Sequence, residues 1–300
     1  MSTRSDAFRG RVYYVCKSRR HWIPTPEHAE AWGLPFPEGI QWVAPEVVEQ
    51  LPLCGSVPLP WSLSDFRNPP ERGPAFIREI AASQLSGRGI EIGAGWNPFP
   101  VPLDCDVVYA DRWTRDDYLA KYHANEEKPV DVVASELRLD FDRFHEISDS
   151  SVDFLIACHV IEHTRNPLQV LKAAYQKLKT GGSFILVVPD KRYTFDKDRE
   201  LTSLEHLILD YESPLPERDW PHFFEFTIKV LGISGHDAYD RAVEAFRADG
   251  DIHFHTWTYE SFLGMVEYCI QMICPWREVW SHPVVIAPPG GAEFYVVLSK

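Results

Sequence analysis

The chemistry this chain can do starts at one short loop. An apolar run closes on Glu91-Ile92, and Gly93-Ala94-Gly95-Trp96-Asn97 follows at once. Glycine at 93 and 95 lets the backbone turn sharply and lets a ligand approach it closely. Two nucleotide-binding patterns begin this way. The dinucleotide fingerprint G-x-G-x-x-G needs a third glycine for helix–strand packing, and here Pro98 stands in that place. The other pattern, E-x-G-x-G-x-G, leads with an acid and ends here on Asn97. Asparagine is the non-glycine residue that best tolerates a left-handed backbone. A second acid, Asp111, ends the next apolar run, where a carboxylate can accept hydrogen bonds from both hydroxyls of a ribose.

A third cluster, Cys158-His159-Val160-Ile161-Glu162-His163, follows the apolar run 153–157, with Leu178-Lys179-Thr180-Gly181-Gly182 after it. Together with the glycine loop, these stretches resemble the class I S-adenosylmethionine-dependent methyltransferases over about residues 75–189. The matching runs there are "S/C-H-V-x-E-H" and "L-x-P-G-G", with Thr180 in place of the usual proline. The resemblance implies a cofactor, S-adenosylmethionine, and a site made of Glu91, Gly93, Ala94, Gly95, Asn97, Asp111, Cys158, His159 and His163. It adds Ser135 and Glu136 beside the adenine, Ser135 replacing the family's acid. His159 and His163 have the i, i+4 spacing of a helical zinc pair. No third ligand sits at a diagnostic spacing, so the reading here is a pocket wall and no metal.

Beyond Pro189 lies a segment with its own polar groups. Lys191, Arg192 and Tyr193 leave the end of a predicted strand, the edge where open α/β sheets bind ligands. His222 stands among Phe223, Phe224 and Phe226. These four, Lys191, Arg192, Tyr193 and His222, are the expected acceptor contacts. His253 and His255 alternate in a stretch expected to return to the cofactor edge. One of them, His253 slightly favoured, is the expected general base for a hydroxyl acceptor.

The elements that must hold these groups read as α/β. Short apolar runs at 89–92, 107–110, 131–134, 153–157 and 184–188 alternate with helical patterns, which signals a mostly parallel sheet covered on both faces. Asn166-Pro167 starts a helix, and Gly181-Gly182 is expected to end it. A further helix is predicted over 259–272, with strands near 277–281 and 294–298. The expected whole is a doubly wound, mostly parallel seven-stranded sheet over residues 58–300, with 190–256 as a lid.

Residues 1–57 read as a small β-rich accessory module. It has a hairpin at 11–23, a short helix from Thr25-Pro26-Glu27 to Gly33, and a strand over 40–43. It resembles a module attached to various bacterial proteins, which implies docking or self-association. Prolines at 52, 58, 60, 69, 70 and 74 suggest a stiff linker, with Trp61 and Phe66 packed on a neighbouring surface. Such a module would be dispensable for cofactor binding.

The chain has 300 residues and a formal charge of −14, from 44 acidic and 30 basic residues. That field disfavours a nucleic-acid partner. No run suits a membrane span, and the N-terminus lacks a signal-peptide core, so a cytoplasmic site is expected. The six cysteines form no C-x-x-C pair, against zinc and disulfide frameworks alike. The resemblance therefore implies a methyltransferase whose acceptor is small, an oxygen of a sugar, glycan or natural product. Two rivals stay open: a silent scaffold that keeps the fold, and a nicotinamide-dependent oxidoreductase.

Overall fold

The computed structural model describes residues 11–37, 41, 43, 45–59, 73–122, 132–287 and 291–300. Among the described residues, ten strands form two sheets. Strands β1 (Val12–Cys16), β2 (Arg19–Ile23) and β3 (Leu53–Cys54) make a small one in that order. The other contains β4 (Arg88–Ile92), β5 (Asp106–Asp111), β6 (Leu137–Arg138), β7 (Val152–Cys158), β8 (Leu178–Pro189), β9 (Glu278–Ala287) and β10 (Gly291–Ser299). Its order is β6-β5-β4-β7-β8-β10-β9. Pairs β4–β5, β5–β6 and β7–β8 are parallel, whereas β10 runs antiparallel to both β8 and β9. This is the expected seven-stranded, mostly parallel sheet. The chain forms two compact units, Met1–Leu139 and Asp140–Lys300.

In the first unit, helix α1 (Pro26–Ala31) starts behind Thr25 with Pro26 in its first turn, and Gly33 ends it at φ +63°. Helix α2 (Pro45–Glu49) precedes β3. Helix α3 (Pro74–Ala82) buries Phe76, Ile77, Ile80, Ala81 and Ala82, the face its spacing predicts. The crossover from β4 to β5 contains no helix, and α4 (Arg115–Tyr122) comes only after β5. Prolines 98, 100 and 102 deny the loop its backbone donors, and a helix there would lose its bonds.

The N-terminal segment covers that loop. Val101 N–H donates to Ser56 O (3.0 Å), and Gly55 N–H donates to Tyr109 Oη (2.9 Å). Val57, Phe99 and Val101 are fully buried. A Cβ on Gly55 would lie 1.8 Å from Phe99 O, so only glycine permits this approach. The predicted stiff linker therefore begins later than Pro52. Trp61, Phe66 and, of the strand expected at 40–43, residues 40 and 42 lie outside the described residues.

One strand is displaced from its expected place. Residues 132–135 pair in no sheet, and the edge position belongs to Leu137–Arg138. Val132 and Val133 are buried all the same, and Val133 N–H donates to Gly95 O (2.8 Å). The apolar run reports burial under the glycine loop rather than a ladder.

In the second unit, helix α5 (Pro167–Lys177) is capped by Asn166 Oδ1, which accepts from Gln169 N–H at 3.0 Å. It ends before the glycines. Leu178 already belongs to β8, and Gly181 (φ +81°) lies where the β7–β8 register jumps between Val152–Leu178 and Phe154–Ser183. Gly181-Gly182 thus serve a bulge rather than a helix stop. Helix α9 (Tyr259–Met272) begins with a capping box between Thr258 and Ser261. Segment 190–256 is mostly helical, with α6 (Leu204–Glu212), α7 (Trp220–Lys229) and α8 (Gly235–Arg247), the last two of which were not expected from sequence.

Candidate functional site

The first unit carries the glycine loop between the ends of β4 and β5. Gly93 (φ +68°) donates its N–H to Ala110 O at 2.9 Å, which ties the loop to β5. Gly95 has φ +52°, and Asn97 N–H returns to Ala94 O at 3.1 Å. With a positive φ at the first central residue alone, this is a II′-type turn. Asn97 closes it from the fourth position and is not left-handed, contrary to expectation. A Cβ on Gly95 would meet Tyr118 Oη at 2.6 Å.

Glu91 is fully buried behind this loop. Its Oε1 accepts from Phe99 N–H at 2.7 Å, while Oε2 has no partner among the described residues. Burial raises its pKa to about 8, against the opposing pulls of the Phe99 N–H and Arg78. Asp111 is half-buried at the end of β5, and its Oδ1 accepts from Trp113 N–H at 3.0 Å. The next segment brings Ser135 and Glu136 alongside, but both are engaged. Ser135 Oγ donates to Leu137 O (3.0 Å), and Glu136 takes a two-pronged ion pair from Arg19 (2.7 and 2.8 Å). Arg19 comes from the N-terminal hairpin, a partner that local sequence spacing does not reveal.

These features suit a nucleoside cofactor: two left-handed glycines, an acid at the end of the neighbouring strand and an orphaned buried carboxylate oxygen.

The second unit carries the histidines. His159 follows β7 with φ +54°, a strained conformation for a non-glycine residue. Its Nε2 lies 2.8 Å from Glu293 Oε2. A short turn at Ile161–His163 continues, where Glu162 is fully buried and its backbone carbonyl accepts from Phe254 N–H at 2.7 Å. His163 Nδ1 pairs with Asp251 Oδ1 at 3.0 Å. Cys158 is partly exposed.

His253 and His255 have different surroundings. His253 Nδ1 is 2.6 Å from Asp196 Oδ2. Asp196 is buried, and burial pushes its pKa up, but bonds from His253 and Arg199 outweigh this and leave it below the usual value. Arg199 Nη1 donates to Asp196 Oδ1 (2.9 Å) and His253 O (2.7 Å), and its Nε donates to Glu225 (3.1 Å). Neither Asp196 nor Arg199 was singled out from sequence; only the tertiary fold joins residues that far from His253. The exposed ring of Phe195 lies against His253, centroids 4.7 Å apart. His255 instead is 1% exposed, and burial, then the neighbouring His222, holds its pKa well below the ordinary imidazole value.

Three expected acceptor contacts are occupied. Lys191 Nζ donates to Lys197 O (2.9 Å), and Arg192 grips both oxygens of buried Asp190 (2.9 and 2.7 Å). His222 is half-buried beside His206, ring nitrogens 3.1 Å apart, with a pKa lowered to about 4 by burial and then by His206. Tyr193 is 46% exposed.

A seven-stranded, mostly parallel sheet with this glycine loop defines a Rossmann-like S-adenosylmethionine-dependent methyltransferase. The chain belongs to the methyltransferase domain family, whose model matches residues 69–231. No curated protein matches the sequence. Among solved structures it is similar to a SAM-dependent methyltransferase of Thermotoga maritima, at 17% identity and a TM-score of 0.37, covering 72% of this chain and 83% of that one. Another, from Archaeoglobus fulgidus, shows 14% identity and a TM-score of 0.35, with coverages of 75% and 90%. The trans-methyltransferase CalH, solved with SAH, shows 16% identity and a TM-score of 0.36, with coverages of 74% and 53%. Among the described residues no helix is long and apolar enough to cross a membrane.

Proposed function

We propose that this methyltransferase acts on a hydroxyl of a small uncharged acceptor, a sugar, glycan or natural product, with His253 as the general base. The observation that carries the reading is the Asp196–His253 pair at 2.6 Å. An ionised carboxylate on Nδ1 holds the proton there, orients the ring and leaves the Nε2 lone pair to accept a proton. Arg199 fixes Asp196 and the backbone of His253 together, so the base is preorganised. His255, buried and with its Nε2 at Arg165 O (3.2 Å), is a poor second candidate.

The glycine loop and Asp111 would hold S-adenosylmethionine, which when bound supplies an electrophilic methyl group and leaves as S-adenosylhomocysteine. His253 takes the acceptor's hydroxyl proton as the oxygen gains the methyl. The exposed rings of Tyr193 and Phe195 offer apolar faces to a sugar or aromatic acceptor. Lys191 and Arg192 satisfy internal acceptors, which favours a neutral acceptor over a phosphorylated one. In this reading 58–300 is the catalytic domain and 190–256 its acceptor-binding part.

The test uses neutral mono- and oligosaccharides as acceptors, with nucleotide sugars as the charged comparison expected to react more poorly, and methyl transfer from labelled cofactor as readout. His253→Gln should lose about 10²–10⁴-fold in turnover while S-adenosylhomocysteine affinity and Tm hold. Turnover within a few-fold of the parent would remove His253 from the chemistry.

A further inference from the structure

We propose that His206, Asp210, His222 and His255 form a structural site for a divalent transition metal of the zinc type, which nothing in the methyl-transfer reading requires. Three separate elements bring the four together. His206 and Asp210 lie one turn apart on α6, His222 stands in the first turn of α7, and His255 comes from the extended stretch before α9. One donor atom from each lies within 4.8 Å of all the others. The closest contacts are His206 Nε2 to Asp210 Oδ2, 3.0 Å, and His206 Nε2 to His222 Nε2, 3.1 Å. A tetrahedral centre with metal–nitrogen bonds of ~2.0–2.1 Å has ligand–ligand edges of about 3.3 Å, so the cluster is nearly a preformed shell.

Proton counting points the same way. His206 Nε2 faces both a carboxylate oxygen and the Nε2 of His222. A single N–H there can serve only one of them well. If instead His222 donates, the His206 lone pair is left facing the carboxylate. A cation among the three satisfies every lone pair at once.

His255 supplies an independent observation. Its side chain is 1% exposed, and Nε2 sits 3.2 Å from Arg165 O, the position of an N–H donor to a carbonyl. That assigns the lone pair to Nδ1, which is buried with no hydrogen-bond partner among the described residues. A buried, unpartnered acceptor is costly, and a ligating imidazole anchored through its other nitrogen to a backbone carbonyl is the usual second-shell arrangement of metal sites. Asp210 is braced too, because Asn166 Nδ2 donates to its backbone carbonyl at 2.8 Å. Three imidazoles and a carboxylate suit zinc, and four protein ligands make a closed, structural site. Such a metal would pin α6 and α7 to the stretch carrying His253.

The experiment strips the full-length protein with chelator, dialyses it, and adds Zn²⁺ alone. We expect one tightly held equivalent by elemental analysis, a Tm rise of about 5–10 °C, and tetrahedral ligand-field absorption when Co²⁺ replaces zinc. His206→Ala, at the partly accessible side of the cluster, and Asp210→Asn, which keeps the size of the buried side chain, should each lose the equivalent and the Tm rise. His255→Ala is a further arm whose failure to fold would not affect these two. No retained metal, or several weakly held equivalents indifferent to His206→Ala, would overturn the assignment. Metal lost in Glu162→Gln but kept in His206→Ala would move it to the neighbouring Glu162–His163–His253 group and equally overturn it.

Discussion

At the scale of residues, the turn at Gly93–Gly95 and the acid that ends β5 are the groups that would meet a nucleoside. Gly93 and Gly95 had to be left-handed or closely approached, and both are left-handed. Asp111 was expected at a strand end, and it is the last residue of β5. It yields a first prediction: Asp111→Ala should weaken S-adenosylhomocysteine binding by about 1.5–3 kcal/mol in calorimetry. Asp111→Asn, which keeps an acceptor for Trp113 N–H, should lose less. An Ala variant within threefold of the parent would take Asp111 out of the ribose site. Glu91 supports a pH prediction. Its pKa in the folded chain is raised from 4.5 to about 8 by burial, so the fold favours the neutral acid. The stabilisation is therefore full below pH ~4.5 and is lost as pH rises toward 8, at about 1.4 kcal/mol per unit at most. Glu91→Gln keeps the acceptor for Phe99 N–H but cannot ionise. Its Tm relative to the parent should climb between pH 5 and pH 8. Parallel Tm curves across that range would mean that Glu91 is not held neutral. The Asp196–His253 pair and the histidine–aspartate cluster were not legible. Their members lie far apart in the chain, and no local period brings Asp196 to His253 or His222 to His255.

At the scale of elements, four of the five apolar runs read as parallel strands are strands, because each is buried on both faces and bounded by turns. The run at 131–134 misled because burial and ladder pairing are different things: Val132 and Val133 are covered by the glycine loop while the ladder passes to Leu137–Arg138. Gly181-Gly182 misled because glycine pairs mark bulges as readily as helix ends. Helix α8 is amphipathic, with Ala238 and Ala242 as its buried residues, and such small core contacts gave no strong apolar signal. The approach of β3's exit to the β4–β5 loop could not be foreseen either, and it is the element contact most open to test. Gly55→Ala would place a methyl 1.8 Å from the backbone oxygen of Phe99, so backbone must move. A loss of about 1–3 kcal/mol is expected in denaturant unfolding. Gly264→Ala is the control: it sits in α9 with nothing within 4 Å of the new Cβ, and should be neutral or stabilising. Equal behaviour of the two would mean that residues 54–57 do not press on the loop as described.

At the scale of the whole molecule, contacts within the first unit cross the boundary expected between residues 1–57 and the catalytic domain, so the dispensability of the module is open to direct test. Composition suggested a free module because prolines cluster after residue 52, and proline content reads as linker. The physical contacts run the other way. Arg19 neutralises Glu136, His28 Nε2 lies 3.0 Å from Glu79 on α3, and residues 54–57 lie along the loop that a crossover helix would otherwise cover. Removing 1–57 would expose Phe99, Val101 and Tyr109, all now buried, and would strip the hydroxyl of Tyr109 of both Gly55 N–H and Cys54 Sγ. It would also free the Glu136 carboxylate, three residues beyond the Val133 N–H that anchors Gly95. Burial of three such side chains is worth several kcal/mol, roughly 1.5–3 each. Deletion of 1–57 should therefore lower Tm markedly and weaken S-adenosylhomocysteine binding, with the full chain as reference. Arg19→Ala helps separate the two effects: it leaves the buried plug in place and removes the ion pair to Glu136 together with the Arg19 bond to Val107 O and its contact with the Tyr109 ring, so Tm should fall much less than in the deletion while any role of Glu136 near the cofactor registers in affinity. A truncated chain that melts and binds like the full one would restore the accessory-module reading and show that the loop is stable without its cover.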